Sequence, residues 1–309
     1  MVLVKLFQKQ ATGIPKQHPL VQRYEELLGE PLKPVQKRDS FRINTLRAPR
    51  ELLERLRAKG VTVEKIPFLL EGYWYTSEKS LGATTEYLLG YYYLQEAASQ
   101  LPVLVLAPPK HSVVLDMAAS PGSKTTQLAA AMNNTGVIVA VEQKTNRMQA
   151  LAENLERCGV TNTVLFRKDA RFIKDFHRDF THILLDAPCS GNYVIEPEYF
   201  SRKSKASIQE MVKIQRELLK AAIECLAPGG TLVYSTCSLE PEENEEQIAW
   251  ALEKYPKLSI DSTGLTVGEP GLTSAFGKKY PEVLEKIRRL WPQKTGTQAF
   301  FIAKLRLSQ

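Results

Sequence analysis

The stretch Val113-Val114-Leu115-Asp116-Met117-Ala118-Ala119-Ser120-Pro121-Gly122-Ser123-Lys124-Thr125 decides the fold. It reads as a short apolar strand, then a loop of small residues, then the start of a helix over residues 125–132. The same grammar recurs downstream. A strand at 137–141 ends in Glu142 and is followed by a helix running to Cys158, a strand at 164–166 is followed by Asp169, and a strand at 181–185 runs into Asp186. A long amphipathic helix at 208–226 stops at Pro228-Gly229-Gly230, and a strand at 231–234 leads into Cys237. Further on come a helix at 242–252 and a hairpin-like segment whose second strand is 300–303. Buried strands alternating with helices predict an α/β fold with a mostly parallel sheet.

In such sheets ligands lie outside the carboxyl ends of the strands, where the strand order reverses. The polar residues just named all fall at strand ends. The small residues at 118–123 let a ligand approach the backbone, Glu142 can accept from two vicinal ribose hydroxyls, and Asp169 can meet an adenine edge. The loop fits neither Gly-x-x-x-x-Gly-Lys-Ser/Thr nor Gly-x-Gly-x-x-Gly, so a diphosphate is not expected. An adenosine ligand without a diphosphate points to S-adenosylmethionine, whose sulfonium would be welcomed by Asp116 and Glu142.

Two of the four cysteines, Cys189 in Asp186-Ala187-Pro188-Cys189-Ser190-Gly191 and Cys237 in Tyr234-Ser235-Thr236-Cys237-Ser238, follow strands and face the same end of the sheet. Cytosine C5 is a poor nucleophile, and a thiolate adding at C6 activates it; a base must then remove the C5 proton and the thiol must leave. Asp186 could hold the N3 edge of the base, and Lys124 would favour a thiolate within a few ångströms. Cys158 and Cys225 read as small core residues, and His111, His177 and His182 show no metal-ligand spacing.

Ahead of this region, residues 21–28 form a plausible helix stopped by Gly29 and Pro31, and residues 40–66 read as strand, helix, strand. Residues 1–90 carry 15 Lys and Arg against 10 Asp and Glu, and the whole chain of 309 residues has a formal charge of +7, which suits a polyanion such as nucleic acid. Residues 1–90 are therefore an accessory module expected to contact RNA, with Arg42 and Asn44 as candidate contacts, and 91–309 the catalytic domain. The aromatics Tyr73-Trp74-Tyr75 and Tyr91-Tyr92-Tyr93 could stack bases, although this density more often fills a core. Residues 1–7, interrupted by Lys5 and followed by polar residues, are not expected to act as a leader, and no apolar run approaches the ~18 residues of a membrane span. A reducing cytoplasm fits the sparse cysteines.

The motifs at 116–125, 186–191 and 235–238, with Arg42-Ile43-Asn44-Thr45-Leu46, Gln95-Glu96-Ala97-Ala98-Ser99 and Phe300-Phe301-Ile302-Ala303, resemble the Nol/Nop/Sun family of RNA cytosine-C5 methyltransferases. The resemblance implies a Rossmann-like class I S-adenosylmethionine-dependent methyltransferase fold, a mostly parallel seven-stranded sheet with an antiparallel strand near the C-terminus. It implies Cys237 as nucleophile, Cys189 as the cysteine needed for release, and Asp186 and Lys124 as catalytic acid and lysine. It implies a cofactor site built from Asp116, Ala118, Ala119, Ser120, Pro121, Gly122, Ser123, Lys124, Glu142, Arg147, Asp169 and Asp186. Ser123 stands where the family more commonly has a second glycine, and Asn192-Tyr193-Val194 lacks the basic residue common in bacterial ribosomal members.

The absence of a long extension resembles the compact archaeal members, several of which modify transfer RNA. The expected partner is thus transfer RNA over ribosomal RNA, acted on by a monomer with no metal and no membrane. The rival readings are a DNA cytosine-C5 methyltransferase, where the nucleophile follows a proline as Cys189 does, and a non-catalytic RNA-binding scaffold. The Thr-Cys-Ser motif after the fifth strand argues against the first.

Overall fold

The computed structural model describes residues 14–15, 17–175, 179–196 and 198–309. The readings made of residues 1–7 and of His177 lie outside the described residues.

The N-terminal part begins with α1 (Pro19–Leu28), whose start is fixed by Pro19 and by the His18 ring nitrogen accepting from the Leu20 amide at 3.2 Å, and whose end is Gly29 at φ 73°. Four antiparallel strands follow: β1 (Ser40–Ile43), β2 (Thr62–Lys65), β3 (Gly72–Thr76) and β4 (Tyr92–Leu94), with α2 (Leu52–Ala58) between β1 and β2. Their order is β2-β3-β1-β4. The expected strand-helix-strand unit exists, but β3 inserts between its two strands and pairs with both. Strand β4 lies beyond residue 90 and pairs with β1, so this sheet draws on chain from both sides of the expected 90/91 division.

The aromatics of this sheet are packing residues. Phe41 and Tyr92 are fully buried and Trp74 is 8% exposed, and Phe41 stacks on Tyr73 with ring centroids 5.6 Å apart. Phe41, Tyr73 and Tyr92 against Leu52, Leu56 and Leu81 supply the small core that a four-stranded sheet needs, while Trp74 packs with Ile66 and Leu69 in a separate cluster.

The larger sheet opens after α3 (Leu101–Leu106). Its strands are β5 (Val113–Asp116), β6 (Val137–Glu142), β7 (Thr163–Arg167), β8 (Phe180–Asp186) and β9 (Leu226–Thr236), then β10 (Leu258–Asp261), β11 (Glu269–Pro270), β12 (Arg288–Leu290) and β13 (Phe300–Leu307). The helices between them are α4 (Ser123–Ala131), α5 (Thr145–Cys158), α6 (Lys205–Cys225) and α7 (Glu245–Lys254). The order is β7-β6-β5-β8-β9-β13-β12-β11, with β10 on the far half of β13. Strands β5 to β9 pair in parallel, and β13 returns antiparallel to β9 from Phe301 opposite Thr236 to Arg306 opposite Thr231.

The sheet therefore has nine strands where seven were expected. The antiparallel β13 is long enough to be edged by two different partners, β12 on its first half and β10 on its second. Those short strands blunt an edge that would otherwise be open.

Both faces are covered, and the sequence pattern follows from that. On one face Leu115, Ile183, Leu185, Leu232, Tyr234, Phe301 and Ala303 join α6 and α7; on the other their neighbours Val114, Leu184, Val233, Phe300 and Ile302 join α3 and α4. Because successive residues point to opposite faces, burial of both makes the runs apolar throughout. Among the described residues no helix is long and apolar enough to cross a membrane.

Candidate active site

Strand order runs β5-β6-β7 in one direction and β8-β9 in the other, so the switch point lies between the carboxyl ends of β5 and β8. Those ends carry Asp116 and Asp186. Asp186 stands opposite Ser235 in the parallel β8/β9 register, and Ser235 Oγ donates to its Oδ1 at 2.7 Å. Lys124 Nζ, from the first turn of α4, donates to Asp186 Oδ2 at 2.7 Å and to Ser99 Oγ at 2.8 Å, and stands 5.7 Å from the centre of the Phe300 ring. The Lys124 side chain is 9% exposed and that of Asp186 30%, so the carboxylate is the more accessible half of the pair. Lys124 thus acts on Asp186: the sulfurs are not among its hydrogen-bond partners here.

The two cysteines meet. The Ala187 amide donates to the Ser235 carbonyl at 2.8 Å, carrying the β8/β9 pairing one residue past the end of β8, and beyond it the Sγ atoms of Cys189 and Cys237 are 2.8 Å apart. Both are free thiols and partly exposed. The Cys189 thiol is pushed well above its ordinary range, first by its hydrogen bond with Cys237, then by burial, with the negative charge of Glu243 adding to it. Gly191 has φ 80°, a left-handed conformation that favours glycine and lets the chain turn away after Cys189. Asn192, completely buried, donates from Nδ2 to the Cys237 carbonyl at 3.0 Å.

The loop from β5 to α4 is set for close approach. The Ala119 amide donates to the Val141 carbonyl at 3.1 Å, the Gly122 amide to the Ala119 carbonyl at 2.8 Å, and the Ser120–Pro121 peptide is cis. Ala119 and Ser120 are buried, Ala118 and Ser123 partly so, and Pro121 is exposed. Gly122 has φ 104°, and a Cβ would come within 3.2 Å of Leu151 Cδ1. Asp116, 1% exposed, accepts from Thr125 Oγ1 at 2.7 Å. Burial pushes its carboxyl up to about 6; the Thr125 bond and Lys124 oppose the rise and Asp186 adds to it.

Glu142, at the end of β6, accepts the Lys144 amide at 2.8 Å on Oε1 and faces Arg147 Nε at 3.2 Å on Oε2. Arg147 also donates to the Ser120 carbonyl at 2.9 Å, bracing the loop against α5. Each Glu142 oxygen keeps a second lone-pair direction for a hydroxyl. Asp169 is differently placed. Arg171 grips its carboxylate through both Nε and Nη2, 2.6 Å at the closest, and holds it below the usual carboxylate range.

Arg42 and Asn44, expected to contact RNA, lie in the interior, 3% and 1% exposed. Arg42 donates to Gln95 Oε1 at 2.9 Å, Thr126 Oγ1 at 2.9 Å and the Ser123 carbonyl at 3.3 Å. Asn44 Nδ2 bridges the carbonyls of Gly90 and Cys158, each at 2.8 Å. Both tie the N-terminal sheet to the helices behind the cofactor loop; strand alternation alone does not reveal which sheet covers which face.

Several site residues were given no role by the sequence, where Ser99 and Ser235 stand only within motifs. Ser99 and Ser235 orient Lys124 and Asp186. Glu243 reads in sequence as one of several acids opening a solvated helix, yet it is fully buried between the two cysteine loops.

The chain matches the profile of the 16S rRNA methyltransferase RsmB/F family over residues 103–306, and that of the N-terminal domain of 16S rRNA methyltransferase RsmF over residues 17–97. It is 39% identical over 304 residues to ribosomal RNA small subunit methyltransferase F of Escherichia coli, a match covering 94% of this chain and 61% of that protein. The chain thus spans about three fifths of the length of the curated relatives it matches. Among solved structures, a methyltransferase homolog from Pyrococcus horikoshii is 41% identical with a TM-score of 0.81, covering 89% of this chain and 87% of that one. NSun6 from Pyrococcus horikoshii, solved with SFG, is 27% identical with a TM-score of 0.79, covering 90% and 92%. On the strength of the matched profile and these relatives, the chain belongs to the RsmB/F (Nol1/Nop2/Sun) family of S-adenosylmethionine-dependent RNA methyltransferases and has their class I fold.

Proposed function

We propose that this protein methylates C5 of a cytosine in small-subunit ribosomal RNA, through an adduct between Cys237 and C6, with Cys189 serving release. The observation that carries this reading is the pair of free sulfurs 2.8 Å apart beside the Lys124–Asp186 pair at the switch point.

The cofactor supplies a methyl group on a sulfonium. The residues at the strand ends suit it: Gly122 takes the left-handed turn at φ 104° that closes the loop, Asp116 is a buried carboxylate for a cation to face, and Glu142 holds free acceptor directions for a ribose. Arg147 would brace the loop over it. Asp169, engaged by Arg171, would reach an adenine edge only by sharing its lone pairs.

Cys237 forms the S–C6 bond, and the electron pair of the C5–C6 double bond becomes available at C5 with charge spreading to N3. Asp186, hydrogen-bonded by Lys124 and Ser235, would hold the N3 edge. Once C5 is substituted, a base takes its proton, the C5–H electron pair re-forms the C5–C6 double bond, and the S–C6 bond breaks with its own pair leaving on the Cys237 sulfur as a thiolate. Cys189, kept as a thiol by its surroundings, is suited to exchanging a proton with Cys237 rather than to attacking the base.

The small-subunit ribosomal RNA reading replaces the transfer RNA expected from compactness. The curated relatives carry the ribosomal name across nearly this whole chain.

Purified protein incubated with methyl-labelled S-adenosylmethionine should label small-subunit ribosomal RNA, free or in subunits, and nuclease digestion should return the label as 5-methylcytidine. Label confined to transfer RNA would reject the substrate. With fluorocytosine-substituted RNA, Cys237→Ala should abolish the covalent adduct and Cys189→Ala should retain it; the reverse result would exchange the roles of the two cysteines.

A further inference from the structure

The two cysteine loops are not held together by their backbones alone. Glu243, just ahead of α7 and fully buried, reaches between them. Its Oε2 accepts the Ser190 amide at 2.9 Å and Gln215 Nε2 at 2.7 Å; its Oε1 accepts Ser238 Oγ at 2.8 Å and also the Ser190 hydroxyl. Ser190 follows Cys189 and Ser238 follows Cys237, so one carboxylate grips the residue after each sulfur. Gln215 extends the grip by donating to the Pro188 carbonyl at 2.9 Å, and the Glu243 carbonyl accepts Tyr234 Oη at 2.7 Å. None of the four donors to this carboxylate is a cation, so its negative charge is solvated by neutral dipoles and stays felt nearby.

We infer that Glu243 is a positioning residue for both cysteines, its carboxylate tying the Ser190 and Ser238 ends of the loops together and so fixing the distance between the two sulfurs. This rests on the cysteine roles proposed above. Two consequences follow from the geometry. Loss of the carboxylate frees the loops, and a displacement of about 1 Å at reacting atoms costs on the order of 100-fold in rate. Loss of the charge alone removes a repulsion from the Cys189 side, so the Cys189 thiol ionises at lower pH.

The two effects separate by substitution. Glu243→Gln can keep the clamp: its oxygen can accept from the Ser190 amide and Gln215, while its NH2 donates to the two serine hydroxyls, which rotate to accept. Glu243→Ala keeps neither clamp nor charge. Single-turnover methylation should fall about 100-fold in Glu243→Ala and less in Glu243→Gln, with S-adenosylmethionine affinity unchanged in both. In a Cys237→Ala background, iodoacetamide alkylation of Cys189, followed by peptide mass spectrometry, should show its pH midpoint moving down in Glu243→Gln. This second readout needs no RNA, so it separates failure of the positioning role from failure of the proposed reaction.

If Glu243→Ala does not fold, Glu243→Asp, one methylene short of spanning both loops, takes its place in the methylation measurement. A wild-type methylation rate in that clamp-breaking variant, or an unmoved alkylation midpoint in Glu243→Gln, would overturn the inference.

Discussion

Asp116 shows how a single buried group can link the site to the stability of the molecule. Its carboxyl is raised from 3.8 to about 6, chiefly by burial. Near pH 3 and below, folded and unfolded chains both hold the proton and the site costs nothing. Between these two values the unfolded chain loses it first, and above about 6 the folded chain must ionise Asp116 in a dry place, so the folded state loses stability as pH rises through that window. Asp116→Asn keeps an oxygen for Thr125 and has no proton to lose. It should therefore gain stability over the wild type, by up to about 3 kcal/mol at pH 8, shrinking as pH falls towards 4. Thermal denaturation of both proteins at the two pH values checks this, and an equal gain at both would sink it. That Asp116 follows a strand was legible from its neighbours; its burial was not, because burial depends on α4 folding back to bring Thr125 over it.

At the scale of elements, the segment leading into α7 is the part the sequence disguised. Residues 242–246 read Glu-Glu-Asn-Glu-Glu, the acidic start of the helix expected over 242–252, yet Glu243, Asn244 and Glu245 are all fully buried. Asn244 accepts Thr236 Oγ1 at 2.6 Å and donates to the Ser238 carbonyl at 2.9 Å. Glu245 forms a two-pronged pair with Arg289 of β12, at 2.6 and 2.7 Å, while Arg289 also donates to the Leu239 carbonyl at 3.0 Å. This pair pins the start of α7 and the segment after Cys237 to the antiparallel end of the sheet. Glu245→Ala leaves a buried guanidinium without its counter-charge and should cost about 3–5 kcal/mol in denaturant titration, whereas replacing Glu245 and Arg289 together by apolar residues of similar volume should recover most of that. A single mutant no less stable than wild type would show that Arg289 finds another partner.

Over the whole molecule, the N-terminal sheet and the catalytic sheet are joined by buried polar contacts on several elements. Arg42 reaches α4, Asn44 reaches the end of α5, and Tyr93 donates to the Pro121 carbonyl at 3.2 Å. From α5, Arg157 returns to the Tyr87 carbonyl at 2.8 Å and lies 4.0 Å over the Tyr87 ring. Helix α1 docks separately, with Arg23 on Glu240 at 2.7 Å and Tyr24 Oη on the other Glu240 oxygen at 2.7 Å. Breaking this interface would strand charged and polar groups, so the two sheets should unfold together. Far-UV circular dichroism and tryptophan fluorescence, with Trp74 in one sheet and Trp250 and Trp291 in the other part, should give coincident transitions; two separated ones would mean that the interface contributes little.

What the sequence determined by itself was the order of strands and helices, the residues at the strand ends and the chemistry of two cysteines, because these are carried by local periodicity and by side-chain type. Asp186 and Ser235, for example, follow short apolar runs that read as buried strands; their register against each other came from the structure. What the tertiary structure decided was which polar residues face inward. Arg42 and Asn44 became fastenings between sheets rather than surface contacts, β13 acquired two edge partners, and Glu243 became the link between the cysteines. Each depends on segments far apart in the chain closing on one another, where desolvation makes an unmatched polar group costly and so fixes its partner.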